Sequence, residues 1–232
     1  MTTPPAVSVV LPVYRNGPTL PELHRRLIAA LGGPLQPFEI LCVNDRSPDG
    51  SLEVLQALSA EDGRIRVITL DAHCGQHAAL AAGLRAAAGQ AVITMDADLQ
   101  DPPEAIPRLV TTLRQGYGAV FAGRRGRYES WSRLATSRLF KRAMSVIVGM
   151  PDDAGAFIAM RCDVAHRAAA LPGRAPYIPA AVALVGRPVV SIPVVRSRCD
   201  EVGSSYTGGL RAQTAARAIV QALRWRATRV AP

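Results

Sequence analysis

Five short apolar runs, each followed by a helical pattern, constrain this chain more than any other feature in it. VSVVLPV (7–13), EILCVN (39–44), IRVITL (65–70), AVITMD (91–96) and AVFAG (119–123) read as buried strands. Between them, Pro21-Glu22-Leu23 opens a helix that reaches about Leu31, and Ser51 caps SLEVLQALSA. Gln76 to Ala88 is alanine-rich and apolar on most sides, and Glu104 to Gln115 is amphipathic. Unbroken apolar strands alternating with helices predict an α/β chain whose mostly parallel sheet is covered on both faces. Ligands of such sheets bind at the carboxyl ends of the strands. Polar clusters stand at three of those ends: Asn44-Asp45, then Asp96 with Asp98, then Gly123-Arg124. One shared cleft is expected.

The second half reads differently. Residues 130–150 form an amphipathic pattern with a basic side, and PDDAGAF (151–157) reads as a loop entering a short strand. Residues 161–172 and 177–185 look helical, 187–198 looks like a hairpin or one long strand, and 209–229 is a basic helix containing Trp225. No linker is evident, so a single domain over 1–208 with a C-terminal basic helix over 209–232 is expected. At 232 residues and 49% hydrophobic, the chain can bury a sizeable core. Its net charge of +9 suits a nucleotide, a phospholipid surface or nucleic acid, and equally describes a solvated basic surface. MTTPPAVSVV lacks the basic start of a signal peptide, and no apolar run approaches the roughly 18 residues of a membrane span. Cys42, Cys74, Cys162 and Cys199 contain no CxxC pair, which predicts reduced thiols in a cytoplasmic protein.

The motif MDADLQDPPE (95–104) places two aspartates one residue apart, where they repel each other. A hard divalent cation, Mg²⁺ or Mn²⁺, would turn that repulsion into a chelate. On an extended segment leaving a strand, Asp96 and Asp98 share a face, and the amide oxygen of Gln100 continues it. Such a cation would also hold a diphosphate and neutralise it as a leaving group. The plain alternative is a solvated acidic turn in which Asp101 caps a helix opened by Pro102-Pro103.

VSVVLPVYRN, VNDRSPDGS, GQHAAL, DADLQDPPE, GRR and PDDAGAF occur in this order and spacing. Together they resemble the family 2 glycosyltransferases of GT-A fold. The branch most similar is the polyprenyl-phosphate glycosyltransferases, which include dolichol-phosphate mannose synthases and bacterial undecaprenyl-phosphate sugar transferases. The resemblance spans about residues 7–208. It implies that Pro12 and Tyr14 border the nucleobase, that Asp45 holds base or ribose, and that Gln76 lines the nucleotide site. Asp96, Asp98 and Gln100 would hold the metal and diphosphate, and Arg124 would contact phosphate. Arg138 falls where such enzymes place a cation for the acceptor phosphate. Ser205 and Tyr206 lie in GSSYTGG, which resembles a loop closing over the donor.

The sequence departs from that pattern at several points. Arg15-Asn16-Gly17 replace an Asn-Glu pair, His73-Cys74 replace an asparagine and an apolar residue, and Ala156 and Ile158 replace an acid and an arginine. The lysine usual between Ser205 and Tyr206 is absent, and the chain stops at Pro232, where many members of the branch continue into two membrane helices. His73 and His77 with Cys74 could suggest zinc, but no second ligand pair accompanies them. Asp153, beside Asp152, reads either as a catalytic base or as a turn cap. An ionised phosphate acceptor needs cations rather than a base, whereas a hydroxyl acceptor needs a base. Arg124, Arg125 and Arg127 cluster after the fifth strand, and Arg133, Arg138, Lys141 and Arg142 lie opposite Leu134, Phe140, Met144 and Ile147 on the next helix. That helix and the C-terminal one read either as solvated or as peripheral to an inner membrane surface.

The reading that follows is an inverting glycosyltransferase using a nucleotide-diphosphate sugar donor. Its acceptor is a polyprenyl phosphate or, alternatively, a small-molecule hydroxyl. A nucleotidyltransferase would need a glycine-rich loop after the first strand, and PVYRNGPTLPEL has one glycine. A non-catalytic nucleotide-sugar-binding protein remains an alternative. Nucleic acid is disfavoured, because aromatics are only 5% and no nucleic-acid module is visible.

Overall fold

A computed structural model describes residues 5–125, 131–173, 175–196 and 208–228, with side chains described except at 124–125, 131–138 and 208–213. The chain order is β1 (Val7–Val13), α1 (Leu20–Leu31), β2 (Phe38–Asn44), α2 (Ser51–Glu61), β3 (Ile65–Thr69), α3 (Gln76–Ala86) and β4 (Ala91–Thr94). Then follow α4 (Ile106–Leu113), β5 (Ala119–Arg125), α5 (Trp131–Val148), β6 (Ile158–Arg161) and α6 (Cys162–Ala169). The last elements are α7 (Ile178–Val185), β7 (Val189–Val195) and α8 (Gly208–Ala227).

All seven strands join one sheet in the order β3-β2-β1-β4-β6-β5-β7. Only β6 runs against the others, pairing antiparallel with both β4 and β5. β1 sits between β2 and β4, so the chain reverses its direction of travel across the sheet there, and the carboxyl ends of these strands are where sheets of this kind take their ligands. The register Val13↔Asn44 aligns the ends of β1 and β2. Every residue of β1 and β2 is buried, which explains their lack of polar alternation.

Two apolar cores follow from the two covered faces. Leu23 and Leu27 of α1, Leu55 of α2 and Leu109 of α4 pack on one face. Leu80 and Leu84 of α3, Met144 of α5, Ala165 of α6, Val182 of α7 and Trp225 of α8 build the other. α3 lies so close to β1 that a Cβ at Gly83 would overlap Val10. The C-terminal helix α8 belongs to this second core. Trp225 is 2% exposed, and its indole N–H donates to the Pro172 carbonyl at 2.9 Å. Among the described residues, no helix is long and apolar enough to cross a membrane.

Some expected details change. The residue preceding α2 is Gly50, and Ser51 is already helical. Asp49 does the capping work instead, accepting the Ser51 N–H at 3.2 Å and the Ser51 hydroxyl at 2.6 Å. Of the stretch 187–198, the described residues 187–196 supply one strand, not a hairpin; β7 pairs in parallel with β5 along its length. β4 ends at Thr94 rather than at Asp96, and the expected start of α4 at Glu104 is a single 3-10 turn over Pro103–Ala105. Prolines 102, 103 and 107 have no N–H, so the regular helix starts only at Ile106.

Candidate active site

The loops after β1, β2 and β4 share a backbone signature. Arg15, Arg46 and Leu99 have φ of 60°, 54° and 64°, the positive-φ non-glycine residues among those described. Each costs about 1 kcal/mol or more and persists only where its surroundings hold it. Here the restraints are visible. The Arg15 N–H donates to Ser47 Oγ at 2.6 Å, tying the first loop to the second. Ser47 Oγ in turn donates to Asp49 Oδ1 at 2.5 Å, and the Gly17 N–H reaches Asp49 Oδ2 at 3.4 Å. Burial alone would raise the Asp49 carboxyl, but hydrogen bonds from Ser47, Ser51 and the backbone hold it below the usual carboxylate range.

Asp45 follows β2 directly and is 1% exposed. Its carboxylate accepts the backbone N–H of Cys74 at 2.7 Å and of Gly75 at 2.8 Å. Gly75, at φ 89°, makes the turn that presents these amides and then starts α3. The His73 ring meets the remaining side of Asp45, with Nδ1 2.9 Å from Oδ2. That imidazole also stacks on Tyr14, ring centroids 4.2 Å apart and planes 26° from parallel. Arg15 approaches the same tyrosine ring at 5.5 Å. Pro12 is buried within β1, in register with Val43. Pro12, Tyr14, Asp45 and His73 thus gather at the ends of β1 to β3, an apolar and aromatic wall beside a fixed carboxylate.

The second carboxylate group lies across the switch point. Asp96 accepts from Gln76 Nε2 at 2.5 Å, so the first residue of α3 links the two halves of the cleft. The Asp96 N–H donates to Asp101 Oδ2 at 3.3 Å. Asp101 has 0% exposure, and Arg196, just past β7, lies 2.5 Å from its other oxygen and 3.6 Å from Asp96 Oδ2. Asp101 is therefore a brace beneath Asp96; Pro102, with no side-chain cap, precedes the helical turn. Asp98 Oδ1 accepts the Gln100 N–H at 3.0 Å, folding the motif through Leu99. The Thr19 hydroxyl donates to the Ala97 carbonyl at 2.6 Å and ties this loop to the first one.

This donor set suits Mg²⁺ or Mn²⁺. Both are hard ions that accept one or two protein carboxylates and fill the remaining positions with water and substrate phosphate. The one hydrogen bond of Asp98 among the described residues is to Oδ1, and its side chain is half-buried, so its other oxygen could serve such an ion. No group of three His, Cys, Asp or Glu with metal-site geometry occurs among the described residues. His77, four residues from His73, packs edge-on against Tyr177 at 4.8 Å, and burial pushes its imidazole down to about 4.

The reversed strand brings the third element. Entering β6 from the carboxyl edge carries residues 151–157 past the ends of β4 and β5. The Thr94 hydroxyl donates to the Ala156 carbonyl at 2.6 Å. A Cβ at Gly123 would overlap the Asp153 carboxylate and the Ser191 hydroxyl, so a larger residue at this position in β5 would have to displace both side chains. Asp153 therefore rests against the end of β5, beside Gly123. The Arg124 and Arg138 side chains, and all of Ser205 and Tyr206, lie outside what the structure describes. Arg196 was missed in the sequence. It ends a strand, as ligand-facing residues do, but nothing local distinguished it from its neighbour Arg198.

Comparison with known proteins matches this architecture. The model of the family described as Glycosyl transferase family 2 matches residues 8–168. An undecaprenyl-phosphate 4-deoxy-4-formamido-L-arabinose transferase of Aeromonas hydrophila is 43% identical over 145 residues, 62% of this chain and 44% of that protein. Its namesake from Proteus mirabilis is 36% identical over 204 residues, 87% of this chain and 63% of that protein. The chain thus spans less than two thirds of the length of either relative. Among solved structures, a Pyrobaculum calidifontis mannosyltransferase in complex with GDP-Man and Mn²⁺ superposes with a TM-score of 0.65 at 22% identity, covering 100% of this chain and 66% of that one. Glucosyl-3-phosphoglycerate synthase of Mycobacterium tuberculosis, in complex with Mn²⁺, UDP-glucose and phosphoglyceric acid, gives 0.67 at 16% identity, covering 97% and 80%. These superpositions establish the GT-A fold. The family match covers most of the chain and includes every loop of the cleft from Tyr14 to Asp153, so the chain belongs to glycosyl transferase family 2.

Proposed function

We propose that this protein transfers a glycosyl group from a nucleoside-diphosphate sugar to a polyprenyl phosphate, with Mg²⁺ or Mn²⁺ and with inversion at the anomeric carbon. The observation that carries this reading is the pairing across the switch point of a fixed carboxylate, Asp45, with the Asp96-Asp98 pair. In this reading a nucleotide lies across the switch point, its base toward Tyr14 and Asp45 and its diphosphate toward Asp96 and Asp98. The names of the two sequence relatives support undecaprenyl phosphate as the acceptor class. The nucleotide and Mn²⁺ in the superposed structures support the donor and the metal.

In this reading Asp45 accepts a hydrogen bond from base or ribose, Tyr14 and Pro12 flank the base, and Gln76 orients Asp96. The metal supplies charge neutralisation for the departing diphosphate, held by Asp96 and Asp98 with Gln100 nearby. Arg124 adds a cation on the phosphates. Arg138 positions the acceptor phosphate, whose ionised oxygen attacks the anomeric carbon in line and needs no base. Ser205 and Tyr206 close over the donor. Residues 1–208 form the catalytic unit and 209–232 the basic helix, acting from the cytoplasmic side where the lipid acceptor is presented. One observation favours a second acceptor class. The Asp153 carboxylate stands at the end of β5, where a general base for a hydroxyl acceptor would be placed.

Calorimetric titration of UDP and GDP, with Mn²⁺ and with EDTA, tests the donor site in wild type and Asp98→Ala. Metal-dependent binding of one nucleotide, weakened about 100-fold in the variant, is the expected result. Binding of neither nucleotide removes the transferase reading. Binding without turnover on any polyprenyl phosphate or hydroxyl acceptor favours a nucleotide-sugar-binding protein.

A further inference from the structure

The His73 side chain is 53% exposed, yet one of its edges and one of its faces are engaged. Nδ1 lies 2.9 Å from Asp45 Oδ2 and 3.2 Å from the Asp45 backbone oxygen. Both neighbours accept hydrogen bonds, so Nδ1 carries a proton and the ring orientation is set. One face of the imidazole stacks on Tyr14, with centroids 4.2 Å apart and planes 26° from parallel. Tyr14 is itself anchored, its N–H donating to Asn16 Oδ1 at 3.0 Å.

This packing decides where a flat base can lie. To enter between Tyr14 and His73, a base would need ring planes about 7 Å apart, two contact distances. The two rings already stand at a single contact distance. Swinging the imidazole aside would take a charge-assisted hydrogen bond from the buried Asp45 carboxylate. The second face of the imidazole has no such obstacle. Among the described residues, Tyr14 is the one ring stacked on His73, and half of the side chain is open to solvent. Asp45 has little more to give a base. Its two oxygens already accept from Cys74, Gly75 and His73, which leaves about one of the four acceptor positions of a carboxylate. One hydrogen bond aims a base, and a stacking face supplies the contact area that holds it.

We propose that His73 is the platform on which the nucleobase of the donor stacks, with Tyr14 one layer behind it and Asp45 at its edge. The platform presupposes the donor cleft proposed above and adds the residue whose ring meets the base. The asparagine that His73 replaces has no ring, so this stacking face belongs to the present sequence rather than to the family pattern.

Calorimetric titration of UDP and of GDP with Mn²⁺ tests the platform in wild type, His73→Ala and His73→Phe. His73→Ala should weaken whichever nucleotide the wild type binds by about fivefold or more. His73→Phe keeps a flat ring without Nδ1 and should recover most of that loss. Inorganic diphosphate with Mn²⁺ has no base, so its affinity should be equal in all three proteins. His73→Trp adds a direct signal: nucleotide should quench its emission relative to wild type, and diphosphate should not. Circular dichroism checks folding, and the phenylalanine and tryptophan variants carry the test if His73→Ala unfolds. Tighter nucleotide binding in His73→Ala would mean that the imidazole shields Tyr14 from the base, which overturns the platform. Equal binding in wild type and His73→Ala overturns it as well. So do a phenylalanine variant no better than alanine, a tryptophan variant that binds nucleotide without quenching, and a parallel loss of diphosphate binding. If neither nucleotide binds the wild type, the donor cleft fails and the platform with it. Nucleotide binding that is indifferent to His73 removes the platform alone.

Discussion

The two carboxylate groups of the cleft are built by opposite means. Asp45 is held by backbone, through the amides of Cys74 and Gly75 at a glycine turn. Asp96 is held by side chains, Gln76 from α3 and Arg196 from beyond β7, over a buried Asp101. Backbone donors cannot swing away, so Asp45 presents one geometry whether or not a ligand is bound. Side-chain partners can, so Asp96 has room to exchange Arg196 for a cation. Residues 74–77 join the two groups: two amides reach Asp45, the next side chain reaches Asp96, and the His77 ring packs edge-on against Tyr177.

Replacing Arg196 should show the larger effect. Arg196→Met removes a cation from a fully buried carboxylate and should cost about 3 kcal/mol in urea unfolding. Adding Asp101→Asn should recover most of that loss, and additivity of the two changes would show that they do not act as a pair. Asp45→Ala leaves two backbone donors without their acceptor and should cost about 2 kcal/mol. It should also abolish nucleotide binding with or without metal, unlike any change at Asp98. A variant that binds normally would show that the rigid pocket is not the base site.

Gly123→Ala should cost about 1–2 kcal/mol by overpacking against Asp153. Asp153→Ala should recover part of that stability in the double variant, since it removes the closer of the two contacts and leaves the Ser191 hydroxyl. Turnover in that double variant then separates the two acceptor classes. Activity on a lipid phosphate should persist, whereas activity on a hydroxyl should not.

A pH slope is the remaining test. Burial depresses His77 from 6.5 to about 4, so the unfolded chain takes up its proton first as pH falls. This contribution to stability is complete above pH 6.5 and declines as pH drops toward 4. Urea midpoints measured between about pH 7 and 5 should fall for wild type and fall less for His77→Phe, which keeps a ring against Tyr177. Parallel slopes would remove His77 from the account.

Much of this arrangement was legible before folding. Five strands, the flanking helices and the three polar strand ends follow from apolar runs and the residues just after them, because both are local. The Asp96-Asp98 pair was legible because two adjacent like charges call for a counterion. Boundaries were less clear. Ser51 looks like a cap by residue type, but it is already helical, and Asp49, two residues earlier, accepts its N–H and its hydroxyl. One strand over 187–198 could not be told from a hairpin, since pairing with β5 is set some 70 residues away.

The sequence by itself determined the α/β alternation, the carboxyl-edge cleft and the identity of the paired aspartates, all fixed by patterns spanning a few residues. Tertiary structure decided the rest. It inserted β6 antiparallel between β4 and β5, which brings Asp153 against Gly123. It carried Arg196 to Asp101 and made α8 part of the core while leaving its arginine face outside. These outcomes depend on which distant surfaces bury each other, and burial is a property of the assembled sheet rather than of any segment.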